Sequence, residues 1–203
     1  MSAAPRLLLF GGTFDPVHNA HLEIARAAAD LLHPGKVLFI PAANPPHKNQ
    51  GPRASFEDRV CMLEIACALD PRFEVSRIEE GTARSYSIRT IEKLQDQGPL
   101  AFLIGADAFA EIQTWHRWQD VVASVEFVVV TRPGATYAIP DGARVTEVPG
   151  LQLPESSSDV RRMIAEGLRN IPVPSGVLDY IDAHGLYRSQ DLKISQTHSS
   201  GSV

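Results

Sequence analysis

The chain is poor in cysteine: its 203 residues include only Cys61 and Cys67, both inside an apolar helical pattern. That usage excludes a disulfide scaffold and suits a reducing cytoplasm, the expected location. A basic excess is also missing, with 19 Lys and Arg against 24 Asp and Glu and a net charge of −5. General attraction to a nucleic-acid backbone is therefore not expected, and an anionic ligand would have to be held by local fields. No apolar run approaches membrane length; Leu7-Leu8-Leu9-Phe10 is too short even for a signal segment, so no membrane partner is expected. Neither internal repeats nor a domain linker interrupt residues 1–188, which are expected to form one domain. Residues 189–203 are polar, lack apolar periodicity and are expected to form a disordered tail. The composition leaves a homo-oligomer open.

Strand-like and helix-like patterns alternate along the chain. Compact apolar runs at 6–10, 37–40, 73–75, 100–104 and 127–130 read as strands, most of them buried on both faces. Between and after them, helical spacing of apolar residues predicts helices near 18–32, 56–69, 87–94, 156–167 and 176–184. The pattern is that of an α/β domain: a Rossmann-like, doubly wound, mostly parallel sheet with a small C-terminal helical part. In such sheets ligands bind outside the carboxyl ends of the strands. The loops leaving those ends hold Gly-Gly-Thr-Phe, Pro-Pro-His-Lys, Gly-Ala-Asp and Arg-Pro-Gly, so the unusual residues are expected to meet in one cleft.

The most informative stretch is Phe10-Gly11-Gly12-Thr13-Phe14-Asp15-Pro16-Val17-His18-Asn19-Ala20-His21. Gly11 and Gly12 predict a sharp turn that a ligand can approach closely. The helix start that follows supplies free N–H groups and a positive dipole end, which favour phosphate. His18 and His21, at i and i+3, project from one side of the first turn. They can donate hydrogen bonds to phosphate and, when protonated, offset developing charge. A zinc site is disfavoured, because no Cys or carboxylate stands beside the pair at ligand spacing. Ser156-Ser157-Ser158 heads another helix with Arg161 and Arg162 one turn on, a strong N-cap with more hydroxyls than a cap requires.

The stretch 11–21 resembles the N-terminal motif of the bacterial nicotinate-nucleotide adenylyltransferases, part of a nucleotidyltransferase superfamily whose shared core is His-x-Gly-His. Ala20 stands at the family's glycine. Four further stretches are similar to family motifs in order and spacing: Pro45-Pro46-His47-Lys48, Ser85-Tyr86-Ser87, Thr131-Arg132-Pro133-Gly134 and Ser156 to Arg161. In two of them serine replaces threonine, at Ser87 and Ser158. Glu155 also stands where the family has an apolar residue.

The resemblance implies transfer of AMP from ATP to nicotinate mononucleotide, giving deamido-NAD and pyrophosphate, with Mg2+ accompanying the ATP. His18, His21, Lys48 and Arg161 would be the catalytic residues. ATP would also meet Gly11, Gly12, Thr13, Phe14, Gly105, Asp107, Arg132, Ser156 and Ser158. Nicotinate mononucleotide would meet Thr13, Tyr86, Ser87, Asp107 and Trp115, with Trp115 stacked on the pyridine ring and the ribose bonded to Asp107. No residue is expected to bind metal directly. Two other readings stay open: a related transferase using nicotinamide mononucleotide or phosphopantetheine, and a nucleotide-binding sensor without turnover.

Overall fold

The structure is a computed structural model that describes residues 7–45, 51–131, 134, 136–148 and 155–188. Among these residues the strands are β1 (Leu7–Gly12), β2 (Lys36–Pro41), β3 (Phe73–Val75), β4 (Leu100–Gly105), β5 (Glu126–Val130) and β6 (Arg144–Val148). The helices are α1 (Asn19–Leu32), α2 (Phe56–Cys67), α3 (Ser87–Leu94), α4 (Ala106–Ala110), α5 (Trp118–Ser124), α6 (Ser157–Ala165) and α7 (Ser175–His184). The strands form one sheet in the order β3-β2-β1-β4-β5-β6, and every neighbouring pair is parallel. This is the doubly wound arrangement, and the chain reverses its direction of travel across the sheet between β1 and β4.

Why the central strands are apolar throughout follows from their position. Leu8 and Phe10 pack on one face with α1, α2 and α7, while Leu7 and Leu9 pack on the other with α3, α4 and α5. A strand covered on both sides has no solvent face on which polar residues would be stable. β6 obeys a different rule. As an edge strand it carries Arg144, Thr146 and Glu147 with only Val148 buried, so it has no continuous apolar run and is not predicted from one.

The Gly-Gly element also differs from expectation. Gly11 and Gly12 do not turn; they continue β1 in parallel register with Ile40 and Pro41 of β2. The turn falls two residues later, at Phe14, whose φ of 50° lies in the left-handed region. Its ring folds back over Gly12, is only 1% exposed, and packs edge-on against Phe10 with ring centroids 5.4 Å apart. A Cβ on Gly12 would sit 2.8 Å from that ring. Gly12 is thus required by packing of the motif on itself, more than by backbone freedom. Gly12→Ala is expected to cost about 1–3 kcal/mol in urea unfolding, since the enclosed ring has no room to retreat; a Gly11→Ala control, whose Cβ would meet Phe102 at an ordinary 3.5 Å, is expected to cost less.

Candidate active site

Helix α1 begins one residue later than predicted, so His18 is its N-cap and His21 its third residue. His18 is extended (φ −141°, ψ 171°), and its backbone N–H donates to His21 Nδ1 at 3.2 Å. With Nδ1 accepting, a neutral His21 carries its proton on Nε2. The two rings lie with centroids 3.8 Å apart, and His21 also packs against Phe14 at 5.0 Å. His18 is 4% exposed, and its Nδ1 has no hydrogen-bond partner among the described residues. Burial lowers its pKa to about 4, so it is a neutral donor at pH 7 and not the cation the sequence allowed.

The residue that assembles the surrounding loops is Asp15, which the motif chemistry of the sequence leaves without a role. Its buried carboxylate accepts from the N–H groups of Arg53 (2.8 Å) and Ala54 (3.0 Å) and from the Tyr187 hydroxyl (2.8 Å). Its carbonyl accepts from Arg161 Nη1 at 2.6 Å, and the Arg161 guanidinium lies 3.7 Å from the carboxylate. Arg161 Nη2 donates to Ser158 Oγ at 3.1 Å, while Ser157 Oγ donates to the Pro16 carbonyl at 3.0 Å. Residues 146 apart in sequence are therefore joined at one point. Burial and the neighbouring Asp15 both drive the Tyr187 hydroxyl pKa upward, so Tyr187 stays a donor. Beneath them, the buried Arg59 bridges the strand ends by donating to the carbonyls of Thr13 and Ala42, each at 2.8 Å. A charged residue on the buried face of α2 was the available signal for Arg59.

Helix α6 is capped as predicted, but by a closed box. Ser156 Oγ accepts from the Asp159 N–H (3.2 Å) and donates to the Asp159 carboxylate (2.7 Å). The Ser156 hydroxyl is thus occupied. The hydrogen bond from Ser156, followed by that from Arg162, holds the Asp159 carboxyl below its ordinary range.

A cleft of about 200 Å³ opens at the β1/β4 reversal. It brings together Gly11 and Gly12, Gly105, Ser85 and Ser87, and Trp115. Trp115 rests edge-on against Phe102 (5.9 Å, 75°), which leaves a ring wall for the cleft. Tyr86 is held otherwise: its ring lies against His116 at 4.4 Å, tilted by 32°, with the Arg89 guanidinium 5.3 Å from its centre, and it is not among the residues that line the cleft. The Ser85 N–H donates to the Asn44 carbonyl (3.0 Å), tying the loop after β2 to the start of α3. Asp107 is an exposed residue in the first turn of α4, whose N-cap is Gly105, and so is not the cap itself. Phe14 contributes only its backbone to any ligand, because its ring is core. Trp118 packs against the core. Lys48, with His47, and Arg132 lie outside the described residues, as do residues 189–203. Among the described residues no group of three or more His, Cys, Asp or Glu could hold a metal ion, and no helix is long and apolar enough to cross a membrane.

A strand-end cleft at a topological reversal, with paired imidazoles at a helix start beside it, defines a nucleotide-binding α/β protein. The sequence profile of the cytidylyltransferase-like family matches residues 9–163. A protein of Solibacter usitatus named probable nicotinate-nucleotide adenylyltransferase is 54% identical over 186 residues, covering 90% of this chain and 99% of its own. A protein of the same name from a Roseiflexus strain is 40% identical, covering 93% and 100%. Nicotinic acid mononucleotide adenylyltransferase of Plasmodium falciparum, solved in complex with NaAD, superimposes with a TM-score of 0.74 at 18% identity, covering 90% and 97%. The chain belongs to the cytidylyltransferase-like family and, within it, to the nicotinate-nucleotide adenylyltransferases.

The buried, neutral His18 has a consequence for folding. Its folded pKa of about 4 lies below the unfolded value of 6.5, so its contribution is fully present above pH 6.5 and is lost as pH falls toward 4. His18→Gln is expected to flatten the loss of stability between pH 6.5 and 4 measured by urea unfolding; an unchanged slope would contradict a neutral buried ring.

Proposed function

We propose that this chain is a nicotinate-nucleotide adenylyltransferase, working in the cytoplasm in the formation of deamido-NAD. The observation that carries the reading is the imidazole pair, 3.8 Å apart at the N-terminus of α1, beside a cleft lined by Ser85, Ser87 and Trp115. The two free cysteines are consistent with the compartment, and burial raises the Cys67 thiol to about 12, which leaves it inert.

In the proposed reaction, a 5′-phosphate oxygen of nicotinate mononucleotide attacks the α-phosphorus of ATP in line. The bond from that phosphorus to the oxygen bridging to the β-phosphate breaks, and pyrophosphate departs with the electron pair. Such transfers need positioning and charge stabilisation more than covalent help. His18 and His21 donate to the α- and β-phosphate oxygens, and the N–H groups and dipole of the first turn of α1 add to their field. An arriving anion raises the imidazole pKa, so charge on the pair grows only when there is charge to meet. Arg161, preset by Asp15 and Ser158, holds the leaving pyrophosphate together with Lys48 and the N–H groups at the start of α6. Gly11, Gly12, Thr13, Gly105, Asp107 and Arg132 line the nucleotide.

The acceptor's carboxylate meets the N–H groups of Tyr86 and Ser87, because that of Ser85 is already given to Asn44. Trp115 faces the pyridine ring. Mg2+ would arrive on ATP and be held by phosphate oxygens and water. When bound, it neutralises part of the phosphate charge.

Two measurements check the reading. Release of pyrophosphate from ATP is expected with nicotinate mononucleotide in clear excess over nicotinamide mononucleotide and phosphopantetheine. No release with any acceptor would leave a non-catalytic nucleotide sensor in its place. His18→Ala and His21→Ala are each expected to lower kcat by roughly 10²-fold or more, as loss of a donor to a developing charge does elsewhere; near-normal turnover in both would remove them from the mechanism.

A further inference from the structure

One charged side chain in the cleft takes no part in the reaction described above. Glu79 lines the same pocket as Ser85, Ser87 and Trp115, and among the described residues it is the sole charged one that does. It is only 8% exposed. Its Oε1 accepts from Thr90 Oγ1 at 2.7 Å, and Thr90 lies on the buried side of α3. Its Oε2 is buried without a hydrogen-bond partner, and no Lys, Arg or His pairs with it among the described residues. Fixing Thr90 needs one acceptor oxygen, which a neutral amide would supply as well. Leaving the second oxygen of a carboxylate buried and unmatched is destabilising, and such violations are expected at functional sites.

The acceptor's chemistry offers a match. Its pyridine nitrogen carries the ribose, so the ring is a pyridinium cation, while the ring substituent is a carboxylate anion. A pocket for it has to present both signs. The N–H groups at the start of α3 answer the anion, and the cation meets only the π face of Trp115, with no carboxylate yet assigned to it. We propose that Glu79 is a specificity-determining residue whose carboxylate complements the positive charge of an N-glycosylated pyridinium ring, so that the pocket selects oxidised over dihydropyridine nucleotides. This rests on the acceptor reading given above. Thr90 is then a positioning residue, since its hydroxyl holds Oε1 and fixes the direction of the carboxylate.

The test uses Glu79→Gln, which keeps the shape and the bond to Thr90 but removes the charge. Binding of nicotinate mononucleotide (cationic ring) and of its dihydropyridine form (neutral ring) is measured by calorimetry, alongside steady-state kinetics with nicotinate mononucleotide. The wild-type protein is expected to favour the cationic ring. In Glu79→Gln its affinity should fall by about tenfold or more, which is what loss of one charge within roughly 10 Å of the ring implies at an effective dielectric of about 20. The reduced form should bind unchanged, and the KM for nicotinate mononucleotide should rise as the affinity falls, while kcat stays within about threefold of wild type. Thr90→Val, which removes the bond and keeps the charge, should weaken the preference for the cationic ring without abolishing it.

A merely structural Glu79 would instead weaken both ring forms together, or neither, and either result overturns the proposal. Should Glu79→Gln fail to fold, the wild-type comparison still decides, since indifference to ring charge is incompatible with the assignment. Failure of the activity reading is separable, because it appears as absent pyrophosphate release in the unmodified protein whatever the ring preference.

Discussion

The carboxylate of Asp15 is the point on which the rest of the site depends. A buried charge is stable only where several donors surround it, and Asp15 collects them from three distant parts of the chain: the backbone at Arg53 and Ala54, the Arg161 guanidinium, and the Tyr187 hydroxyl. Satisfying one charge thereby fixes the loop before α1, the approach to α2, the start of α6 and the segment after α7. Phosphate-binding groups on separate loops must share a frame within fractions of an ångström to act on one reacting atom. Asp15 supplies that frame without facing the chemistry, and Arg59, bonded to the carbonyls of Thr13 and Ala42, performs the same service under the ends of β1 and β2.

The resting electrostatics follow from this construction. With His18 neutral and Arg161 turned toward Asp15 and Ser158, the described residues of the site carry less free positive charge than their types suggest. That is what a chain of net charge −5 can sustain without drawing in arbitrary anions. The α1 dipole and the imidazole donors are oriented beforehand, so the field is ready while the charge is not. Asp159 works in the same direction: its carboxylate already occupies the N-terminal hydroxyl of α6, so a phosphate there gains N–H groups and Arg161 but not the Ser156 hydroxyl as a free donor.

What is legible in the sequence is set by how local the controlling physics is. Strands buried on both faces announce themselves as apolar runs, which place β1 through β5 within about two residues of their observed ends. The edge strand β6 and the short helices α4 and α5 give no such signal, because an edge strand needs no apolar run and a five-residue helix offers little periodicity. Glycine's backbone freedom points to a turn at Gly11-Gly12, yet the turn lies at Phe14, where tertiary packing of a ring against Gly12 overrides the local rule. The imidazole pair and the cap at Ser156 are readable because their spacing is helical. Asp15, Tyr187 and Glu79 are not, since each acquires its meaning only from partners 11 to 172 residues away.

The sheet itself divides the labour. The histidines, Phe14 and Arg161 belong to the side covered by α1, α2 and α7, where Phe10 and Phe14 pack. Ser87, Glu79 and Trp115 gather on the side of α3 to α5, where Leu9, Phe102 and Phe127 pack. The two meet at the crevice between β1 and β4, across Gly11, Gly12 and Gly105. On the proposed reading, chemistry lies on one side and acceptor choice on the other, so α3 and the segment around Trp115 could be altered while the geometry acting on the α-phosphate stays intact. A single fold can then serve many acceptors with one reaction, which is the pattern expected when function resides in sites carried by a common scaffold. On this division, the acceptor-side residues determine which nucleotide this chain completes, and the opening motif determines only how.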